Sequence, residues 1–228
     1  MNHSIFKPNT LSIFTDAAVH LIGENKWNVS SVAIAFNKGG VLESQSAIIE
    51  DATNNVGELY GIQLGVDLAY KLGPYYMRTN LYSDSELCVK TLKGWVYNWI
   101  RNTGFKSTDP RSWKTLRTSS GAPVANKVQI INLIDSICAL EGRVPLFRIF
   151  HVKAHSIGNP RDIMRMFLRE NKIPISIEDA RELARCNDMA DAQAKTILEE
   201  YNRDLITKPI PFYVPVSLKG YYKVMNEG

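Results

Sequence analysis

Four acidic residues have the types and positions to bind a metal ion. Asp16 interrupts an apolar run, "SIFTDAAV", Asp84 closes another, Glu58 follows "TNNVG", and Asp191 lies in "NDMADAQAK". An unpaired carboxylate is costly to bury, so Asp16 in particular needs compensation. Four like charges held together raise one another's proton affinity and oppose folding unless cations are present. Oxygen ligands without a Cys or His cluster favour Mg²⁺ or Mn²⁺ over zinc.

Each acid taken singly also has a structural interpretation. Glu58 and Asp191 fit the opening turns of two helices, where the helix dipole favours negative charge, and Asp84 fits the end of a strand. Asp16 has few such reasons to lie in an apolar strand. It is therefore the combination of the four acids that indicates chemistry.

The elements that must position these acids can be predicted from hydrophobic periodicity and turn residues. Strands are predicted at 11–19, 28–37, 40–50, 75–84 and 146–154. A helix is predicted after Asn54 or Asn55 as N-cap, ending at Gly73, and further helices at 85–100, 123–141 and 187–204. The strand, helix and strand around Glu58 form a β-α-β pattern, which would bring Asp16 and Asp84 to one edge of a sheet.

The chain has 228 residues, which predicts one α/β domain at 1–205, an insertion of two helices at about 156–186, and an extended tail at 206–228. Three separated cysteines without a CxxC motif argue against a disulfide framework and favour a reducing compartment. The sequence shows no targeting signal or membrane span, so we expect a cytoplasmic protein with no membrane partner. A net charge of +4 is compatible with a polyanionic partner.

Five segments, in order and approximate spacing, resemble the motifs of the type 1 ribonuclease H family. They are "FTDAA", "TNNVGELYGI", "YSDSELCVKTLKGWVYNWIRNTGFK", "HVKAHS" and "CNDMADAQAK", and the likeness extends from Leu11 to Leu198 apart from the insertion. The resemblance implies a ribonuclease H-like α/β fold. That fold would have a five-stranded mixed sheet flanked by helices, a basic protrusion, and a helical insertion before the last helix.

The same resemblance implies an endonuclease that hydrolyses the RNA strand of RNA/DNA hybrids and leaves 5′-phosphate and 3′-hydroxyl ends. Asp16, Glu58, Asp84 and Asp191 map onto the family's catalytic metal ligands. These would hold two Mg²⁺ ions, with Mn²⁺ as a substitute, which neutralise charge on the entering and leaving oxygens. His155 matches the family's mobile histidine, which assists proton transfer or product release.

Substrate contacts carry over by the same resemblance. Asn54 and Asn55 match residues that read the 2′-hydroxyls of RNA, and Thr53 and Asn98 match a pocket for a DNA phosphate. Trp95 matches an aromatic residue that lies against a deoxyribose. Its spacing from Trp99 also fits a core stripe, and we interpret Trp95 as functional and Trp99 as structural.

The basic excursion at 101–121 resembles the family's protrusion, and it contributes three further predicted substrate contacts, Arg111, Lys114 and Arg117. A charge run is otherwise most often a solvated face.

Two residues depart from the family pattern, because Ala17 stands where glycine is usual and Glu86 where glutamine is common. No separate N-terminal hybrid-binding domain is expected. Two alternatives stay open at this point. One is another member of the superfamily, such as a retroelement nuclease domain, an integrase or a transposase. The other is a catalytically silent module that binds nucleic acid.

Overall fold

The central feature is a five-stranded mixed sheet with the strand order β3-β2-β1-β4-β5. The computed structural model describes residues 6–7, 9–22, 27–38, 41–103, 115–153 and 159–207. Within these ranges the strands are β1 (Thr10–Ile22), β2 (Trp27–Lys38), β3 (Val41–Glu50), β4 (Arg78–Ser83) and β5 (Phe147–His151). The first three form an antiparallel meander, whereas β4 runs parallel to β1 and β5 runs parallel to β4. All five predicted strands and the mixed sheet are confirmed.

Helices cover both faces of this sheet. One face carries α1 (Asn54–Leu72), α2 (Glu86–Lys90), a π-helical turn (Thr91–Trp95), α3 (Val96–Thr103) and α4 (Lys127–Glu141). The other carries α5 (Pro160–Asn171) and α6 (Ile177–Thr207). Because side chains alternate along a strand, Ile13 packs into the first core while its neighbour Phe14 packs into the second. Strand β1 is therefore buried on both faces.

The start of α1 differs in two details from the prediction. Its N-cap is Thr53, whose Oγ1 accepts from the Val56 N–H at 3.4 Å, instead of Asn54 or Asn55. Glu58 lies beyond the first turn, which contains no acidic residue. Since the dipole effect is confined to the first turn, it does not explain Glu58.

The prediction of two inserted helices before a separate last helix is wrong. Only α5 is an inserted helix, and α6 continues without a break for 31 residues through the predicted boundary at Cys186. The segment 177–207 contains no proline or glycine that would end a helix. Asp191 consequently lies in the middle of α6, so its interpretation as a helix-start residue is also wrong.

Three groups of predictions fall outside the described residues. These are the placements of Arg111 and Lys114, of His155, and of the tail from 208 onward. In the part of the chain that is described, no helix is both long enough and apolar enough to cross a membrane. All three cysteines are free thiols, with Cys88 and Cys186 buried and Cys138 exposed.

Candidate active site at the edge of the sheet

The register between β1 and β4 brings two acids side by side. The parallel ladder pairs Thr15 with Ser83, and Asp16 and Asp84 are the next residues along each chain. Strand β4 ends here while β1 continues to Ile22, so the two carboxylates lie side by side where β4 ends. Asp16 is only 5% exposed, and its Oδ1 accepts a hydrogen bond from the Ala17 N–H at 2.7 Å.

Helix α1 brings Glu58 to the same edge. Three glycines spaced four residues apart, Gly57, Gly61 and Gly65, lie against the sheet, so the helix backbone approaches it closely. Ligand oxygens of Asp16, Glu58 and Asp84 all lie within 4.8 Å of one another. Within the described ranges this is the one group of three or more acidic, His or Cys side chains with the spacing of a metal site.

The cluster is electrostatically unfavourable without a cation. Burial, with repulsion from Asp84 and then Asp16, raises the pKa of Glu58 to about 9. Burial and the Asp84 charge likewise raise the pKa of Asp16 to about 7, against the opposing Ala17 hydrogen bond. Glu58 Oε2 is buried and has no hydrogen-bond partner among the described residues. A bound cation would give this buried carboxylate oxygen a partner and would offset the charge of the two neighbouring carboxylates.

Asp191 approaches the cluster from α6, on the opposite face of the sheet. Its charge contributes to the raised pKa of Asp16, yet it lies outside the tight group of three. Its Oδ2 instead accepts from Lys195 Nζ at 2.7 Å, one helical turn further on. Lys195 also lowers the pKa of Asp16, so this ammonium supplies part of the counter-charge at the site. Sequence reasoning missed Lys195, although its i, i+4 spacing from Asp191 was a usable signal.

These four acids fit a divalent cation. The donors are all hard oxygens, which suit Mg²⁺ or Mn²⁺, and one buried oxygen is still without a partner. Asp16, Glu58 and Asp84 would be ligands at their present positions. Asp191 lies outside this group, and its Oδ2 is held by Lys195.

A groove beside the cluster brings together three of the predicted substrate residues. Asn55, Trp95 and Asn98 line a cavity of about 400 Å³ between the start of α1 and the α2–α3 segment. Thr53 and Asn54 are exposed at the start of α1 but do not line this cavity. Four polar residues that line this cavity were not singled out from the sequence: Thr91, Thr118, Ser119 and Asn126.

The two tryptophans of this region have different environments. Trp95 is 42% exposed at the groove, whereas Trp99 is 8% exposed and packs in the core. The predicted structural role of Trp99 is confirmed. Trp95 has the exposure that a stacking surface requires, and its contact with a deoxyribose stays a prediction.

Of the three basic residues assigned to the excursion, Arg117 is described. It is exposed, and its Nη1 donates to the Gly121 carbonyl at 2.9 Å, so it also supports a local turn. Glu86, the departure that adds negative charge, is exposed and forms an ion pair with Lys90 on the surface of α2.

The carboxylate cluster lies where β4 ends beside the middle of β1, and its donors suit a divalent cation. The sequence profile of the RNase H family matches residues 8–166, which is more than half of the chain. The chain therefore belongs to the RNase H family and is a ribonuclease H enzyme. Comparison with curated proteins gives no match.

Two foamy viral structures share this fold at low sequence identity. The native protease-reverse transcriptase of prototype foamy virus matches with a TM-score of 0.54 and 16% identity, over 86% of this chain and 22% of that one. A foamy viral protease-reverse transcriptase in complex with RNA/DNA hybrid matches at 0.50 and 15%, over 65% of this chain and 18% of that one. RNase H1 from the halophilic archaeon Halobacterium salinarum matches at 0.37 and 17%, over 72% and 94%. The chain thus spans about a fifth of the foamy viral polypeptides, and the likeness concerns the fold alone.

Proposed function

We propose that this protein is an endonuclease that hydrolyses the RNA strand of RNA/DNA hybrids and leaves 5′-phosphate and 3′-hydroxyl ends. The observation that carries the proposal is the cluster of Asp16, Glu58 and Asp84, whose ligand oxygens lie within 4.8 Å of one another in a chain of the RNase H family. The cluster opens beside a groove lined by Asn55, Trp95 and Asn98, where a nucleic acid would lie.

Two Mg²⁺ ions are the proposed cofactors, with Mn²⁺ as a substitute. Bound divalent ions supply charge neutralisation on the attacking and leaving oxygens of an in-line displacement. The chain's own contribution is to hold carboxylates at the junction of β1, β4 and α1, with Asp191 and Lys195 completing the charge balance from α6. Asn54 and Asn55 would distinguish RNA from DNA by the 2′-hydroxyl.

The decisive experiment offers end-labelled RNA/DNA hybrid, duplex DNA, duplex RNA and single-stranded RNA, each with Mg²⁺ and with chelator. We expect cleavage of the hybrid alone, on its RNA strand, only with metal. The product ends are identified by ligation and by kinase labelling. Equal cutting of duplex DNA would instead favour an integrase-like or transposase-like activity, and no cutting at saturating Mg²⁺ would favour a silent binding module.

Trp95→Ala should weaken hybrid binding without harming the fold, because this half-exposed ring lines the groove. Loss of one stacking contact costs about 1–3 kcal/mol, so KM should rise roughly ten-fold while kcat stays near that of the parent. Tyr97→Ala is the matched control, since Tyr97 is 57% exposed on the same segment but lines a different cavity. An equal rise in KM for both variants would show that the effect is not specific to the groove.

The basic excursion should act through binding alone. Replacing Arg111 and Lys114 by alanine should raise KM and leave kcat unchanged, because phosphate contacts are present in the ground and transition states alike. The slope of log affinity against log salt should flatten by roughly 0.7 to 0.9 for each residue that contacts phosphate. Arg117→Ala is measured separately, since its bond to the Gly121 carbonyl adds a structural effect. Unchanged KM and salt slope would identify the run as a solvated face.

His155→Ala should slow turnover without abolishing it, because water can partly replace a proton shuttle. The single-turnover rate of the variant is compared with its steady-state rate. A lower steady-state rate with an unchanged single-turnover rate would assign His155 to product release. A variant that folds normally and has no activity would show that His155 has a larger role than proposed.

A further inference from the structure

We propose that Gly57 is a positioning residue, which sets the distance between Glu58 and Asp16 by packing against Ser30 and Ala17. This inference rests on the proposed function, because it concerns how the metal site of that function is assembled. Gly57 itself contacts neither substrate nor metal. It acts through the residue that follows it.

The contact at Gly57 leaves no room for a side chain. A Cβ at this position would lie 2.1 Å from Ser30 Oγ, 3.1 Å from Ser30 Cβ and 3.2 Å from Ala17 Cβ. The first distance is far inside van der Waals contact, and the other two are also tight. A methyl group here must therefore displace the start of α1 from the sheet, or move β1 and β2.

Rotation of the Ser30 side chain does not relieve this overlap cheaply. Ser30 is fully buried, and its hydroxyl donates to the Ala18 carbonyl at 3.1 Å. Turning the hydroxyl away breaks a buried hydrogen bond, which costs about 1–3 kcal/mol. The contacts with the Cβ atoms of Ser30 and Ala17 would persist after the rotation.

The two sides of this contact are the immediate neighbours of two ligands. Gly57 precedes Glu58 in α1, and Ala17 follows Asp16 in β1 and donates its N–H to Asp16 Oδ1. A shift between residues 17 and 57 is therefore transmitted directly to the carboxylates. Ala17, the departure from the usual glycine of the family, is thus accommodated by the absence of a side chain at position 57.

Other glycines of the chain supply matched controls. Gly61 lies one turn further along the same face of α1, and a Cβ there would meet nothing closer than the Asp16 carbonyl oxygen, at 3.4 Å. A Cβ added at Gly94 would meet no atom within 4 Å. Both replacements by alanine add one methyl group to a helix, and neither forces the backbone to move.

The test compares the full-length parent with G57A, G61A, G94A, S30A and the double variant S30A/G57A. The rise in Tm on addition of MgCl₂ alone is recorded as a function of concentration and fitted for an apparent Kd, because a ligand that binds only the folded state stabilises it by RT ln(1 + [L]/Kd). The kcat and KM for hybrid are measured at low and at high Mg²⁺. The Tm readout does not depend on catalysis.

We expect the apparent Kd of G57A for Mg²⁺ to be roughly ten-fold or more above that of the parent, the usual scale for losing support of a metal ligand. Its kcat should fall at low Mg²⁺ and recover in part at high Mg²⁺, with KM unchanged. The double variant S30A/G57A should regain part of the Mg²⁺ affinity, because the 2.1 Å overlap is removed. G61A, G94A and S30A should keep the apparent Mg²⁺ affinity of the parent, although S30A should have a lower Tm because it loses the hydrogen bond to the Ala18 carbonyl.

A G57A protein with the Mg²⁺ affinity of the parent overturns the proposal, as does an equal loss of affinity in G61A. If G57A does not fold, S30A/G57A is compared with S30A in its place, and equal Mg²⁺ affinity of that pair overturns the proposal. A parent that binds Mg²⁺ but does not cut hybrid refutes the proposed function, while the Tm titrations still decide the role of Gly57.

Discussion

We expect Asp16→Asn to lower kcat for RNA/DNA hybrid roughly a thousand-fold or more at saturating Mg²⁺. Asp16 is buried at the centre of the cluster, adjacent to Asp84 through the β1–β4 register and within 4.8 Å of Glu58. An amide keeps the shape of the carboxylate but removes the charge that attracts the cation. The loss is measured in single-turnover assays, in which product release does not limit the rate.

The same substitution should leave the metal-free protein at least as stable as the parent, because it removes one repelling charge from the cluster. Asp67→Asn is the matched control, since Asp67 is a half-buried carboxyl in α1 that is hydrogen-bonded to Gln63 and is not part of the cluster. That variant should cut at the parental rate. A fully active Asp16→Asn enzyme would refute the metal-ligand role of Asp16.

In chelator, the free energy of unfolding should decrease as the pH rises from about 5 to about 9. The pKa of Glu58 is raised from 4.5 to about 9 and that of Asp16 from 3.8 to about 7. Between the unfolded and folded values the native state binds more protons than the unfolded state, so stability falls with increasing pH. Each pKa unit corresponds to about 1.4 kcal/mol, so the two raised pKa values together set the loss at no more than about 10 kcal/mol.

Urea unfolding at a series of pH values measures this dependence with and without Mg²⁺. Added Mg²⁺ should flatten the decline, because the cation stabilises the ionised carboxylates. In chelator, Glu58→Gln should also remove most of the decrease in the free energy of unfolding, since the variant has no proton to lose at position 58. A metal-free parent whose stability is constant or rises over this range would contradict the electrostatic account of the cluster.

Much of the fold follows from local patterns in the sequence. The strands around Asp16 and Asp84 and the helix that carries Glu58 have clear periodicity, because each buries an apolar face whose spacing matches its own geometry. The break after α5 was equally predictable, since Pro174 lies in it and Ser176 caps the next helix. The uninterrupted course of α6 was not, because the amphipathic pattern on each side of Cys186 also fits two shorter helices.

The sequence by itself determined which residues can perform the chemistry: four carboxylates, one of them in an apolar strand, and a set of ordered motifs around them. Only the tertiary structure decided how they meet. The β1–β4 register brings Asp16 beside Asp84, and the closeness of α1 at Gly57 brings in Glu58. Asp191 stays outside the tight group, and its Oδ2 accepts a hydrogen bond from Lys195. These outcomes depend on distances between segments far apart in the chain, and such distances are set by packing across the whole sheet, which no local pattern encodes.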